Sequence, residues 1–481
     1  MPNIWVRFGV AVGVTALSAI PIAWASSSGA LPGHSGGPAG GGTFCHACHG
    51  PFNPGTGFVE VLGAPARYRA GEFYDLTVRI TAPDQDGAGF ETSAEGISGH
   101  AGALILTDGL NTRYAGDLPD YITHTFSGLA NSRAEWVANG GSYDYHFRWQ
   151  APLGNAGPVT FFTSANAVDN LNYFSGVRYY RGYAKSLYAR PGDVDGDSDV
   201  ELDVDLADHA LQADCLTGPG GTRGAACEFA DTDGDGDVDL FDIAENQTLF
   251  TGATATNPPE FVLADVVRGG LLYDKWWLIN RSSEPTGNHP LYPAIGQKSG
   301  STTFRCKECH GWDYKGVNGA YGSGTHFTGI TGVFGTTLTP QQVFDLLSSP
   351  DTANGGHDMI AYGMTDVDLW DVTKMVLEGV IDTNDYIDGN GAFRGDPGIG
   401  QLRYGTSNNN GACATCHNVD GRHLDFGGGV YVGTVANANP WELLHKVRFG
   451  HPASPMPSFE LLGWPATWAA DVGAHAATLP Q

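Results

Sequence analysis

Between residues 57 and 190, apolar and polar positions alternate in short runs. Phe58 to Leu62, Tyr74 to Ile80, Ala103 to Leu106, Tyr143 to Trp149 and Val159 to Phe162 each follow a period of two, which puts successive side chains on opposite faces of a strand. Turn residues separate the runs and no long helical period interrupts them. The segment 26–190 is therefore expected to be an antiparallel β-sandwich. Beyond residue 259 the period lengthens. Val266 to Trp277, Asp366 to Val380, Gly398 to Tyr404 and Trp441 to Phe449 are expected helices, with Leu369, Val372 and Val376 on one face of the second. Thr365 with Asp368 three residues on forms a capping-box start for that helix. The expected fold is multidomain α+β: a sandwich, a small acidic helical module at 191–252, and two mainly α domains at 259–385 and 386–481.

The first 25 residues read as an export signal. Arg7 supplies the positive start, Phe8 to Ile20 the apolar stretch, and Ala23-Trp24-Ala25 the small residues before a cut ahead of Ser26. A retained membrane anchor is the competing reading. No later run of about 18 apolar residues occurs, so the mature chain is expected to carry no membrane span and to reside in the periplasm or outside the cell.

Charge narrows the function. The chain has 25 Lys+Arg against 52 Asp+Glu, a formal net charge of −27, which excludes a nucleic-acid or anionic-membrane binder. Charged residues are only 16% while Gly numbers 69, which argues against a coiled coil. A 41% hydrophobic content excludes a disordered acidic tail.

Six of the eight cysteines fall into three CxxCH units: Cys45, Cys48 and His49; Cys306, Cys309 and His310; Cys413, Cys416 and His417. Chance composition gives roughly 0.004 such units, so the pattern points to three covalently bound haem c groups. Two thiols one helical turn apart reach the two haem vinyl groups, and the following imidazole meets the iron. Zinc would need a second Cys/His pair beside each CxxC, and none is near in sequence. Cys215 and Cys227 have no His neighbour, and a disulfide between them is expected in an exported chain.

Residues 259–481 resemble two consecutive class I cytochrome c domains, each with an opening helix, a CxxCH and a closing helix. Cys306 to Gly311, continued by Trp312-Asp313-Tyr314-Lys315-Gly316, is similar to a subgroup of exported dihaem cytochromes. The resemblance implies a distal methionine on a loop before each closing helix. Met359 holds that position in the first domain, with Met364 and His357 as alternatives and Met375 inside the helix; Met456 holds it in the second. The first haem has no methionine between residues 2 and 358. Its distal candidates are His34, His100, His124 and His146, with His124 first and His100 second, an open position being the other reading.

The stretch 57–190 resembles the Reeler-like "choice-of-anchor V" domains of exported bacterial proteins. Gly89-Phe90-Glu91-Thr92, His100-Ala101-Gly102-Ala103, Tyr121-Ile122-Thr123-His124-Thr125, Trp149-Gln150-Ala151-Pro152 and Gly157-Pro158-Val159-Thr160-Phe161 carry it. Between 193 and 242, sixteen Asp and Glu stand against one Arg. Asp231, Asp233, Asp235, Asp239 and Asp242 occupy positions 1, 3, 5, 9 and 12 of a calcium loop, with Gly236 at 6 and Asp237 beside them. Asp193, Asp195, Asp197 and Asp199 repeat the theme. That loop closes on Asp208 with an insertion, or else starts at Asp197. The pair resembles dockerin-type repeats, which implies one or two bound Ca²⁺ and, by analogy, a cohesin-like or self-assembly partner; a solvated acidic linker is the plainer reading.

The expected function is electron transfer by an exported trihaem cytochrome, its acidic surface suited to a basic redox partner. Two readings compete. One is a haem oxidoreductase acting on a small substrate at an open sixth position. The other is a surface or scaffold protein with Ca²⁺-dependent partner binding.

Overall fold

The computed structural model describes residues 28–45, 56–116, 119–169, 177–189, 206–224, 227, 230–232, 236–249, 257–405 and 413–481. The expected export signal at 1–25 lies outside them. The chain is mixed α+β, with its sheets in the N-terminal part and mainly helices beyond.

The strands, in chain order, are β1 (Phe58–Leu62), β2 (Arg67–Tyr68), β3 (Phe73–Thr81), β4 (Gly87–Gly96), β5 (Gly99–His100), β6 (Ala103–Leu106), β7 (Thr112–Tyr114), β8 (Tyr121–His124), β9 (Ser142–Gln150), β10 (Val159–Val168) and β11 (Arg178–Tyr188). One sheet runs β1-β3-β9-β6; the other runs β2-β11-β10-β4-β8-β7, with β5 paired to β4. Every pairing is antiparallel except β2 with β11. In the first sheet, Leu76 lies opposite Phe147 and Val78 opposite Tyr145, so the period of two sends one apolar row inward. That row packs with Phe90, Ile122 and Phe161 of the second sheet in one core.

The second sheet does not alternate, for a physical reason. β4 is buried on both faces because residues 28–45 lie across its outer side. The His34 amide donates to Glu91 at 2.6 Å, the Ala39 amide donates to Glu95 at 2.7 Å, and Ser35 and Ser93 share a hydroxyl bond of 2.8 Å. Burial pushes the Glu91 carboxyl up to about 8. The expectation of a helix-free sandwich is corrected at one point. Phe126–Glu135 is a helix whose N-cap, Thr125, accepts from the Gly128 amide at 2.9 Å, and the Trp136 indole that follows donates to the Ala82 carbonyl at 3.2 Å.

The expected C-terminal helices form as Val266–Ile279, Asp366–Lys374, Pro397–Gly405 and Pro440–Phe449. The Thr365–Asp368 capping box closes in both directions. The second of these helices was expected to run to Val380; Met375–Gly379 instead continues it as a π turn. Two buried clusters result. Leu272, Trp276, Leu369 and Val372 belong to one, and Tyr404, Leu444, Val447 and Val472 to the other. Phe449 of the later segment sits in the earlier cluster, so the two α regions share apolar packing. No helix among the described residues is long and apolar enough to cross a membrane.

In the acidic module, helices Leu206–Asp214 and Leu240–Leu249 pack together, and Cys215 and Cys227 form the expected disulfide. Its 12-residue separation makes the cross-link worth on the order of 3 kcal/mol through the unfolded chain.

Candidate cofactor and metal sites

The second CxxCH unit is the most fully defined. Cys306–His310 is a short helix ended by Gly311 at φ +79°, a backbone conformation natural to glycine. Cys306 and Cys309 are unpaired, and burial pushes both thiols up to about 12. They line a cavity of about 600 Å³ together with His310, His357, Met359 and Met364 and a largely apolar wall that includes Tyr273, Phe304, Val343 and Leu346. The volume falls within the usual range for cofactor sites. His310 is bonded through Nδ1 to the Thr331 carbonyl at 2.8 Å, which leaves Nε2 for the cavity. Burial, helped by His357, lowers its pKa to about 4, so the imidazole is neutral. Met359 and Met364 are both buried within the apolar cluster, as is Met375 in the π turn.

In the third unit, Cys413 and Cys416 are also unpaired, and burial raises them to about 12 and about 11. His417 has an Nδ1 buried without a hydrogen-bond partner, and burial lowers its pKa to about 4. Met456 packs, with Cys413, against the cluster that holds Leu444 and Phe459. Of the first unit only Cys45 is described; Cys48 and His49 lie outside the described residues. Cys45 is buried, with its sulfur 3.1 Å from the Ser164 hydroxyl. It shares a cluster with Phe44, Leu129, Val168, Val177 and Tyr179, and Cys416 of the third unit packs against that same cluster. Arg181 lies beside this contact. Its guanidinium stands 5.1 Å from the Phe44 ring centre and donates to Gly36 at 2.6 Å and to Pro455, next to Met456, at 3.5 Å.

The histidines proposed for the first haem fall in different environments. His124 is buried with its Nδ1 3.1 Å from the Phe90 amide, and its ring occupies the space a Cβ would fill at Gly89. His100 is exposed and edge-on to Tyr121. His146 is exposed on the outer side of the first sheet, bonded to Thr77 at 2.9 Å. His34 is bonded to the Leu31 carbonyl at 2.8 Å. A larger groove, about 690 Å³, lies on that outer face between Arg79, Asp144 and His146, and none of the cysteines lines it.

Two buried groups that the sequence did not single out join the α regions. His445 bonds the Tyr314 hydroxyl at 2.8 Å and the Gly270 carbonyl at 3.0 Å, so both ring nitrogens are used within the protein. Asp274 accepts from Lys446 at 2.7 Å and pairs with Arg305, the residue before Cys306. Neither carries a spacing signal, because the His445 bonds and the Asp274–Lys446 pair each cross more than a hundred residues of chain, and Asp274 and Arg305 are 31 apart.

In the acidic module, Asp237, Asp239 and Asp242 are buried, each offering a carboxylate oxygen within 4.8 Å of the others. Asp242 also accepts from the Thr232 and Asp239 amides, both at 2.7 Å, which folds the loop around it. Gly236 has φ +99°, as the sixth position of a calcium loop requires. Asp231 is buried and pairs with Arg223 at 2.7 Å. Asp233 and Asp235 lie outside the described residues, as do Asp193, Asp195, Asp197 and Asp199. Asp208 is described and fully buried.

No family model and no curated protein matches the sequence. Among solved structures, the chain is similar to the human F-spondin reeler domain, at 18% identity over 29% of this chain and 94% of that one, with a TM-score of 0.21. A second F-spondin structure, of its Reelin-N domain, gives 19% identity over 30% and 96%, with a TM-score of 0.21. The major subunit of aggregative adherence fimbriae type I from Escherichia coli gives 10% identity over 28% and 98%, with a TM-score of 0.19.

Proposed function

We propose that the chain is an exported trihaem c-type cytochrome whose work is electron transfer. One observation carries the reading: Cys45 and Cys416, from attachment units at opposite ends of the chain, pack at one buried cluster. Groups tethered there would lie close enough to exchange electrons directly, and such proximity serves wiring better than three isolated binding sites. The donor set fits the group. Unpaired, partly buried thiols one turn apart, a neutral imidazole held through Nδ1 and an apolar cavity are what a covalently held haem would use in the second unit. The haem supplies the one-electron redox change; the residues tether it, orient it and exclude water. Met456 would hold the third haem on its far side, and His124 the first. Met359, Met364 and His357 line the cavity in which the second would sit. The first haem is then the lower-potential partner of the third, because methionine ligation raises the potential.

The test is an intact mass together with a reduced-minus-oxidised spectrum of the mature protein. Three added haems and c-type bands are expected; a colourless protein, or one lacking the added mass, overturns the reading. Rapid CO binding to one haem in three would instead favour the oxidoreductase with an open sixth position.

The acidic module is proposed to bind one or two Ca²⁺ through the loop of Asp231, Asp233, Asp235, Asp237, Asp239 and Asp242, and through Asp208 with the earlier acidic run. Chelation is expected to lower the thermal midpoint of this module and leave the haem spectrum unchanged, as read by calorimetry and absorbance on one sample. A midpoint indifferent to chelator would remove the metal and leave the acidic linker. A basic redox protein is the partner the net charge favours, and a cohesin-like or self-assembly partner would show as chelator-sensitive particle size.

A further inference from the structure

The distal side of the second cavity holds two kinds of donor, and geometry separates them. The rings of His310 and His357 lie with centroids 6.2 Å apart and planes inclined by 31°. Two imidazoles on a single metal ion require about 2 Å of metal–nitrogen bond on each side and about 1 Å from nitrogen to ring centre, so about 6 Å in total. Both rings are tethered alike. His310 is bonded through Nδ1 to the Thr331 carbonyl at 2.8 Å, and His357 through Nδ1 to the Leu346 carbonyl at 3.2 Å. That bond fixes the tautomer and presents Nε2 as the remaining donor, the arrangement of metal-bound histidines. Both residues line the cavity that holds Cys306 and Cys309. The loop carrying His357 is held from behind: its carbonyl accepts from His289 Nε2 at 3.1 Å, and its amide donates to Leu346 at 2.8 Å. Met359 and Met364 line the same cavity but are also members of the apolar cluster of Leu272, Trp276 and Phe304, where a thioether serves as filling.

We propose that the second haem is held between two histidines, His310 and His357, rather than between His310 and a methionine. This rests on the haem reading above. It leaves Met456 as the one thioether ligand and the third haem as the highest-potential site. That site is also the one whose attachment packs against the first, so electrons would collect at the third haem from both sides.

The test uses the full-length matured protein. Haem content by mass is measured first, then the near-infrared charge-transfer band that marks methionine-ligated ferric haem. The expected wild-type signal is one such band for three haems, lost in Met456→Leu and retained in Met359→Leu and Met364→Leu. His357→Met is expected to double it and to raise one reduction potential. Two bands in the wild type, one of them lost in Met359→Leu or Met364→Leu, would overturn the assignment while leaving the trihaem reading intact. A protein with no haem would overturn both.

Discussion

Alanine at both Cys306 and Cys309 is expected to yield a protein with two haems in place of three. Intact mass should fall by one haem, and haem absorbance by about a third. The reason lies in the tether. These are the only two thiols lining the second cavity among the described residues, and a haem held there by axial bonds alone would be subject to loss. Loss would leave a cavity of about 600 Å³ walled by Tyr273, Phe304, Val343 and Val372, so the stability of this region should fall by several kcal/mol as well. The control is Cys215→Ser with Cys227→Ser, which removes the disulfide, costs on the order of 3 kcal/mol and keeps all three haems. An unchanged mass in the Cys306/Cys309 double variant would mean that these thiols are not an attachment site.

Much of the molecule was legible where a residue's role is local. The strand runs Phe58 to Leu62 and Ala103 to Leu106 are strands with those boundaries, because one face meets the core and the other meets water. The Thr365–Asp368 box and the Cys215–Cys227 disulfide depend on residues close in sequence, and both form. β4 was missed as a strand because its outer face is covered by residues 28–45, so Glu91 and Glu95 are buried and the alternation disappears. The helix Phe126–Glu135 has too weak an apolar face to announce itself; of its side chains only Leu129 and Ser132 are buried along with Gly128. What sequence spacing cannot carry is which units meet. Cys45 and Cys416 are 371 positions apart, and only the packing of the N-terminal sandwich on the last α region brings them to one cluster. The same holds for the role proposed for His357, which depends on a ring 47 positions away.

The contact between the two α regions yields the second large effect. Asp274 lies on the Val266–Ile279 helix with its side chain 1% exposed, between Arg305 and Lys446, themselves mostly buried. Burial opposes the charge, but Lys446 and Arg305 outweigh it and hold the carboxyl well below the usual carboxylate range. Asp274→Asn keeps the shape and removes the charge, leaving Arg305 without its carboxylate and Lys446 with Glu442 alone, at 3.7 Å. Breaking a buried ion pair in this way costs about 3–5 kcal/mol. Arg305 immediately precedes Cys306, and Lys446 follows His445, which holds Tyr314 and Gly270. The loss should therefore loosen the second attachment unit and the junction together. The pH dependence has a definite sign. The folded carboxyl titrates below the unfolded one, so its stabilisation is present above the unfolded value near 3.8 and is lost as pH falls through the folded value. Denaturant unfolding at pH 7 should place Asp274→Asn below the wild type by that amount, and the gap should narrow as the solution is acidified below about pH 4. A gap that stays constant down to the acid transition would show that the carboxylate charge is not what joins the two regions.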